Sequence, residues 1–298
     1  MSGLASKNMN MNMNMNMSSG AEQSMFRVAR FNSFVFQKMM DYSEDDFVAQ
    51  NPGADHPEFW HADLQAHMYL RDFLERNPGW MDEYKMAAER AGAPAQQMSV
   101  KQLKTQTLHI IDATSEREGR FAEAIHQDDG NSAIGYWLGM IGVDPVRHPA
   151  TYLMIRVARL VGEHVVMCLK GHYRGSRPSI VCPAIVPLFD PPATPSFPSG
   201  HALQSYLISN VIAGALLEFP QSSPPSNEEE PGAGPLYDLA KRVAYNRVVA
   251  GVHFPCDNEA GRRVAYQCFL HLKNIPSFWT DQDSLKARVQ REFPHYAS

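Results

Sequence analysis

The sequence has little that would place it in a membrane or on a secretory route. It contains no run of about 18 or more apolar residues, the length that a membrane-spanning helix needs. Its first 20 residues, MSGLASKNMNMNMNMNMSSG, lack the apolar core of a signal peptide. We therefore predict a disordered, low-complexity tail over residues 1–25, no transmembrane segment and a cytoplasmic location.

Cysteine and basic charge are also scarce. The four cysteines form no CxxC pair and have no zinc-ligand spacing, so we expect free thiols in a reducing compartment. The formal net charge is −5, with a pI near 6.2. A general nucleic-acid-binding protein normally carries a basic face and a high pI. The composition therefore predicts no nucleic-acid partner but still allows a local basic pocket.

Alternating, strand-like patterns are almost absent, whereas apolar residues recur at helical spacing along most of the chain. Residues 178–198 hold seven prolines and are predicted as a loop rather than a helix. We predict an all-α fold, a helical bundle with a long proline-rich active-site loop, formed by a single helical domain over residues 26–298. Its functional core is predicted at about 150–275. The predicted helices cover residues 58–90 (with a turn at 77–79), 100–111, 115–126, 150–169, 201–219, 236–252 and 258–272, and polar loops are predicted at 127–131 and 221–235.

The end of the proline-rich segment, residues 197–201 (FPSGH), is the first candidate for chemistry. An irregular loop ends here and an apolar helix begins, and the first N–H groups of a helix lack intrahelical partners and attract anions. Ser199 is a natural N-cap, and Gly200 allows a ligand to approach the backbone closely. We expect His201 to lie in the first helical turn and to face any anion held there.

Three basic residues in two other segments are the next candidates. Lys170 precedes Arg177 by seven residues, and Arg247 lies farther along the chain. An arginine offers a planar fork that matches two phosphate oxygens, whereas a lysine adds a compact charge. These residue types are the ones that an oxyanion-binding pocket requires.

A second histidine, His253, follows Arg247 by six residues and precedes Asp257 by four. Because Pro255 disfavours a continuous helix, we place His253 at a helix end and Asp257 as the cap of a helix from Asn258 onward. Asp257 can then accept the Nδ1–H of His253. This contact would fix the tautomer and leave Nε2 free to attack or to coordinate.

Read together, these segments resemble a known superfamily. They have the order Lys-x6-Arg-Pro, Pro-Ser-Gly-His and Arg-x5-His-x3-Asp, from Lys170 to Asp257, under a third of the chain. The pattern is similar to the superfamily that unites class A bacterial acid phosphatases, type 2 phosphatidic acid phosphatases and vanadium-dependent haloperoxidases. One departure is Asn246, where phosphatases usually carry serine.

The resemblance implies a role for each matching residue. His253 would be the nucleophile that becomes a phosphohistidine, or the ligand of the metal in vanadate. His201 would be the general acid and base, and Asp257 would orient His253. The residues implied to hold the oxyanion are Lys170, Arg177, Ser199, Gly200 and Arg247.

Two activities in this superfamily remain open, because hydropathy excludes the membrane lipid phosphatases. A phosphatase needs no cofactor and acts on a small phosphorylated substrate, whereas a haloperoxidase uses vanadate, halide and hydrogen peroxide. Residues 194–201 (TPSFPSGH) resemble the algal bromoperoxidase loop, and the lack of a signal peptide fits a periplasmic phosphatase poorly. Against a haloperoxidase, Thr194 stands where those enzymes have His or Phe. Met167 stands where the fungal chloroperoxidase has Trp, and the chain is short, so we favour the phosphatase.

Two other classes of protein are weaker alternatives. A di-iron helical bundle would use Glu-x-x-His motifs, and the pairs Glu58/His61 and Glu123/His126 have that spacing, but chance alone accounts for two such pairs. A non-catalytic oxyanion-binding or storage protein would not require an oriented histidine beside Asp257. A homo-oligomer is compatible with the sequence.

Overall fold

The segments with helical spacing fold as helices in a computed structural model that describes residues 61–128, 130–216, 222–227 and 232–296. The predicted tail over residues 1–25 and the predicted domain start at residue 26 lie outside these residues. The helices belong to one unit, which spans His61–Ser298.

The all-α prediction is confirmed, since the described ranges contain no strand beyond an isolated bridge between Ser223 and Ala233. No helix in these ranges is both long and apolar enough to cross a lipid bilayer. In chain order the α-helices are α1 (Ala62–Arg76), α2 (Trp80–Ala91), α3 (Val100–Ala113), α4 (Arg117–His126), α5 (Gly130–Ile141), α6 (Pro149–Tyr173), α7 (Pro178–Val181), α8 (Gly200–Ala215), α9 (Pro235–Val249), α10 (Pro255–Lys273) and α11 (Leu285–Glu292).

Helix α8 is the centre of the fold. It is apolar on nearly all of its faces, which is typical of a helix surrounded by other helices. It packs against α6, α9 and α10, while α1 covers α6 and α2 covers α10. The elements that carry the candidate residues therefore meet around one end of α8.

The predicted proline-rich loop begins with one helical turn, α7, so the prediction of a loop from residue 178 is wrong for its first four residues. Pro178 occupies the first helical position, where its missing N–H would have had no intrahelical partner. Residues 182–199 then form neither helix nor strand.

Helix α10 begins three residues before the predicted start at Asn258, and Asp257 lies inside its first turn rather than at its cap. Pro255 is again the first helical residue. A proline disfavours helical structure in the residues before it, but it can itself be the first residue of the helix that follows.

Sequence patterning predicts neither α5 nor α11, and the predicted polar loop at 127–131 overlaps the start of α5. Helix α5 (GNSAIGYWLGMI) holds three glycines, which lower intrinsic helix propensity. Its formation therefore depends on packing, which local sequence does not report.

Candidate active site

Lys170 lies in the last turn of α6 and is almost completely buried. Its Nζ donates to the backbone carbonyl of Pro195 and, at 3.1 Å, to that of Ser196, both in the proline-rich segment. Burial lowers the pKa of Lys170 well below its ordinary value, and the charge of Arg177 lowers it further. The lysine thus joins the loop to α6 and places a buried amine at the site.

Arg177, directly before α7, joins the loop to the segment that carries His253. Its Nε and Nη2 donate to the carbonyl of Thr194 at 3.0 and 2.9 Å, and Nη1 donates to the carbonyl of Val252 at 2.8 Å. The same Nη1 lies 3.0 Å from Nε2 of His253. Burial lowers the pKa of Arg177 to about 10, so the guanidinium remains charged near neutral pH.

Arg247 is fully buried in the last turn of α9. Its Nη2 donates to the carbonyl of Ala124 at 2.5 Å, and its Nη1 to the Asp128 carboxylate at 3.1 Å. Its Nε has no hydrogen-bond partner among the described residues. A buried donor without an acceptor costs about 1–3 kcal/mol, so this N–H is available to a polar ligand or a water molecule.

His253 lies in the short connection between α9 and α10. The chain leaves α9 at Val249 and turns through Gly251, whose φ of 76° lies in the left-handed region that favours glycine. The backbone N–H of His253 then donates to the carbonyl of Arg247 at 3.3 Å. This turn brings the imidazole back beside the end of α9.

Asp257, in the first turn of α10, is the partner of His253. Its Oδ2 lies 3.1 Å from Nδ1 of His253 and accepts the backbone N–H of Phe254 at 3.0 Å. The Ser196 hydroxyl donates to the same oxygen at 2.5 Å. Burial raises the pKa of Asp257, whereas these hydrogen bonds act in the opposite direction and favour the carboxylate.

These contacts fix the proton on His253. Arg177 can only donate hydrogen bonds, so Nε2 at 3.0 Å from its Nη1 must carry a lone pair. The proton therefore lies on Nδ1, facing Asp257. Burial, and then the charges of Arg177 and Lys170, lower the pKa of His253 well below its usual value. The imidazole is therefore neutral near neutral pH, with an unprotonated Nε2.

His201 lies in the first turn of α8, as expected, but its Nε2 contacts the carbonyl of Gln127 at 2.9 Å. Burial and the charge of Arg247 lower the pKa of His201 to about 3. His201, Arg159 and Trp137 are among the residues that line a cavity of about 10 Å³, close to the space of one water molecule.

The two depressed histidine pKa values predict a stability that falls in acid. Below the unfolded-state pKa of about 6.5, the two histidines bind protons in the unfolded chain but remain neutral in the folded chain. Their contribution to stability is therefore fully present above that pH and is lost as the pH falls. We expect the free energy of unfolding to fall by about 2 kcal/mol in all between pH 7 and pH 5 for each histidine, and the slope to approach about 1.4 kcal/mol per pH unit only below about pH 5.5. Urea unfolding at several pH values measures this slope.

The His201→Gln variant should flatten that pH dependence, since glutamine does not titrate. The exposed His67 offers a matched control, and His67→Gln should keep the wild-type slope. Equal slopes for wild type and His201→Gln would contradict a buried neutral His201.

Ser199 is the N-cap of α8, and its Oγ accepts the N–H of Ala202 at 3.4 Å. Its backbone N–H donates to the carbonyl of Asp257 at 2.9 Å, which ties the start of α8 to α10. A Cβ on Gly261 would lie 2.6 Å from the Ser199 carbonyl, so only glycine permits this approach. Gly200 provides the first N–H groups of the helix together with its neighbours.

Four residues that the sequence did not predict form hydrogen bonds with the predicted site residues. Ser196 contacts both His253 and Asp257, but nothing about a serine in a proline-rich loop distinguishes it. The other three lie 74 to 123 residues before their partners in the sequence, so no short motif contains them. They are Ala124 and Asp128, which hold Arg247, and Gln127, which holds His201.

Asn246, which stands where phosphatases usually carry serine, belongs to the hydrogen-bond network around Gln127. Its Nδ2 donates to Oε1 of Gln127 at 2.8 Å, and its Oδ1 accepts from Arg120 at 3.1 Å. Gln127 in turn donates to Glu123 at 2.9 Å. The asparagine therefore fixes the residue whose carbonyl holds His201.

The structure thus brings the predicted residues together in two groups. Hydrogen bonds connect Lys170, Arg177, Ser199, His253 and Asp257 through the loop and α10. Arg247 and His201 both contact residues 124–128, and the charge of Arg247 contributes to the lowered pKa of His253.

The di-iron alternative relies on the pairs Glu58/His61 and Glu123/His126. Within the residues that the structure covers, Glu123 and His126 do not form a metal site. Glu123 pairs with Arg242 at 2.6 Å, and the ring of His126 packs against Tyr136. No group of three potential metal-ligating side chains occurs in these residues, and Glu58 lies outside them.

No known protein-family model matches the chain, and no curated protein is significantly similar to it. The resemblance to the phosphatase and haloperoxidase superfamily therefore rests on three short motifs.

Proposed function

We propose that this chain is a phosphoric ester hydrolase, a metal-independent phosphomonoesterase that acts through a phosphohistidine on His253. One observation carries the proposal. The buried Nε2 of His253 lies 3.0 Å from Nη1 of Arg177, while its Nδ1 contacts the Asp257 carboxylate at 3.1 Å. A nucleophilic imidazole needs this combination of an oriented N–H and a lone pair beside an anion-binding cation.

The surrounding donors support an oxyanion as the ligand. Phosphoryl transfer needs positive charge spread around three oxygens, and Lys170, Arg177 and Arg247 surround His253 closely enough to lower its pKa. The Nε of Arg247 adds a donor without an acceptor among the described residues, and the positive end of the α8 dipole begins at Gly200 and His201. A phosphate group would satisfy both.

The proposed reaction has two steps. A bound phosphate would take the Arg177 N–H that now contacts Nε2, which frees the lone pair of His253. The negative charge of the bound substrate would favour the imidazolium form of His201. Nε2 of His253 then attacks phosphorus, the ester P–O bond breaks, and the leaving alcohol takes a proton from this imidazolium. Water attacks the phosphohistidine, transfers a proton to His201, and releases phosphate and the free imidazole.

Asp257 has its main role while the phosphoryl group is on His253. The imidazole gains positive charge as Nε2 bonds to phosphorus, and the carboxylate at Nδ1 stabilises that charge. His201 must leave the Gln127 carbonyl, or use its Nδ1, to reach the leaving group.

A vanadium-dependent haloperoxidase is the second candidate, because the same donors fit vanadate. Nε2 of His253 would bind the vanadium, and Lys170, Arg177 and Arg247 would hold its oxygens; bound vanadate would supply the activation of peroxide that oxidises halide. Both the carbonyl and the hydroxyl of Thr194 contact Arg177, at 2.9 and 3.2 Å from Nη2. The residue that differs from both haloperoxidase types therefore lies against the oxyanion-binding arginine, which favours the phosphatase.

Two assays made side by side test the proposal: hydrolysis of p-nitrophenyl phosphate, and bromide oxidation by peroxide after loading with vanadate. We expect hydrolysis, unaffected by EDTA and inhibited competitively by micromolar vanadate. Bromide oxidation without hydrolysis would establish the second candidate, and the absence of both activities would contradict the proposed site.

A pair of lysine variants tests whether the activity belongs to this site. Lys170→Met keeps the buried volume and removes the amine, so hydrolysis should fall about 100-fold or more. Lys101→Met, at an exposed position on α3, should retain wild-type turnover. Equal turnover of the two variants would place the activity elsewhere.

A further inference from the structure

Ser196 is a buried serine at the centre of the contacts around His253. Its hydroxyl oxygen lies 2.5 Å from Oδ2 of Asp257 and 3.3 Å from Nδ1 of His253. Its backbone is fixed on both sides, because its N–H donates to Gly175 at 2.8 Å and its carbonyl accepts from Lys170 at 3.1 Å. The hydroxyl is therefore held in place by more than its own contacts.

We propose that Ser196 is a positioning residue that holds the Asp257 carboxylate, shares the Nδ1–H of His253, and so supports the tautomer that the contact with Arg177 requires. As a step in catalysis, this role rests on the proposed function. As a statement about the protons of His253 and Asp257, it stands on the geometry alone.

The hydrogen-bonding capacities of the three groups allow one arrangement of protons. The carboxylate of Asp257 only accepts, so the single hydroxyl proton of Ser196 lies on the 2.5 Å contact. The serine oxygen then has lone pairs for the Nδ1–H of His253. That N–H faces two acceptors, at 3.1 and 3.3 Å.

Loss of the hydroxyl should act through Asp257. Burial raises the pKa of the Asp257 carboxyl above its ordinary value, and the Ser196 hydrogen bond acts against that rise. Without the hydroxyl, Asp257 should therefore take up a proton at higher pH than in the wild type. A neutral carboxyl no longer stabilises positive charge on the imidazole, so activity on the acid side of the pH profile should be lost first.

The test compares Ser196→Ala and Ser196→Thr with Ser209→Ala. Ser209 is also fully buried, and its hydroxyl has two hydrogen bonds, one with Trp137 at 3.0 Å and one with the carbonyl of Leu236 at 2.8 Å. Removal of this hydroxyl should therefore cost about as much stability as removal of the Ser196 hydroxyl. We expect Ser196→Ala to lower kcat by about 10-fold to 100-fold, with KM little changed, and to move the acid limb of the kcat profile to higher pH. Ser196→Thr keeps a hydroxyl and should leave the acid limb of the kcat profile at its wild-type pH. Ser209→Ala should lower Tm without changing kcat or its pH profile.

The Nδ1–H resonance of His253, assigned by its absence in His253→Ala, gives a readout that needs no activity. It should shift in Ser196→Ala and stay in place in Ser209→Ala. An unchanged resonance in Ser196→Ala overturns the inference, whether or not the enzyme is active. If wild type has neither activity and the resonance shifts, the proposed function fails and the positioning role stands.

Discussion

His253→Ala is expected to remove hydrolysis of p-nitrophenyl phosphate, with a fall in kcat on the order of 10⁶-fold, as for the loss of other covalent nucleophiles. The reason is that the lone pair on Nε2 is the atom that forms the bond to phosphorus. Its position between Arg177 and Asp257 leaves no other imidazole with this geometry among the described histidines. Steady-state kinetics of the purified variant measure the loss.

His172→Ala is the matched control for this prediction. His172 is exposed in the last turn of α6, two residues after Lys170, and its ring packs against Tyr173. Its removal should leave kcat near the wild-type value. Turnover of His253→Ala at the wild-type rate would show that His253 does not form the covalent intermediate.

Arg177→Lys should lower kcat by about 10²–10³-fold, although the charge is kept. The guanidinium contacts Thr194 through two nitrogens and reaches Val252 and His253 through the third, and an ammonium cannot span these groups. The variant should also bind vanadate more weakly, because two oriented N–H donors become one point charge. Competitive inhibition by vanadate measures that affinity.

Arg174→Lys controls for the substitution itself, three residues earlier in the chain. Arg174 is exposed, and among the described residues its side chain donates a hydrogen bond to the carbonyl of Gly171, at 3.3 Å. We expect wild-type kinetics for this variant. If Arg177→Lys behaves in the same way, Arg177 does not hold the transferred group.

Local sequence was sufficient to predict most of the helices, except α5 and α11, and to select candidate residues that contact one another in the structure. Helix α8 was predictable because Ser199 caps an apolar segment at helical spacing. The turn at His253 was predictable from Pro255, but the start of α10 was not. A proline excludes helix before it more clearly than it marks the first helical residue after it.

Contacts between distant segments account for what the sequence could not predict. Gln127 and Asp128 directly follow α4. Asp128 contacts Arg247, 119 residues later in the chain, and Gln127 contacts His201, 74 residues later. Their residue types are ordinary for a polar turn, and only the packing of α4 against α9 brings them to the site. The role of Ser196 likewise depends on how the loop folds over α10.

In the proposed mechanism, Nε2 of His253 is the atom that bonds to an oxyanion held by Lys170, Arg177 and Arg247. A crystal structure of the protein with orthovanadate tests it most directly, since vanadate suits both candidate activities. We predict vanadium bonded to Nε2 of His253, with its oxygens in contact with all three basic side chains. Vanadate bound at any other residue, or absent from this site at saturating concentration, would contradict the account.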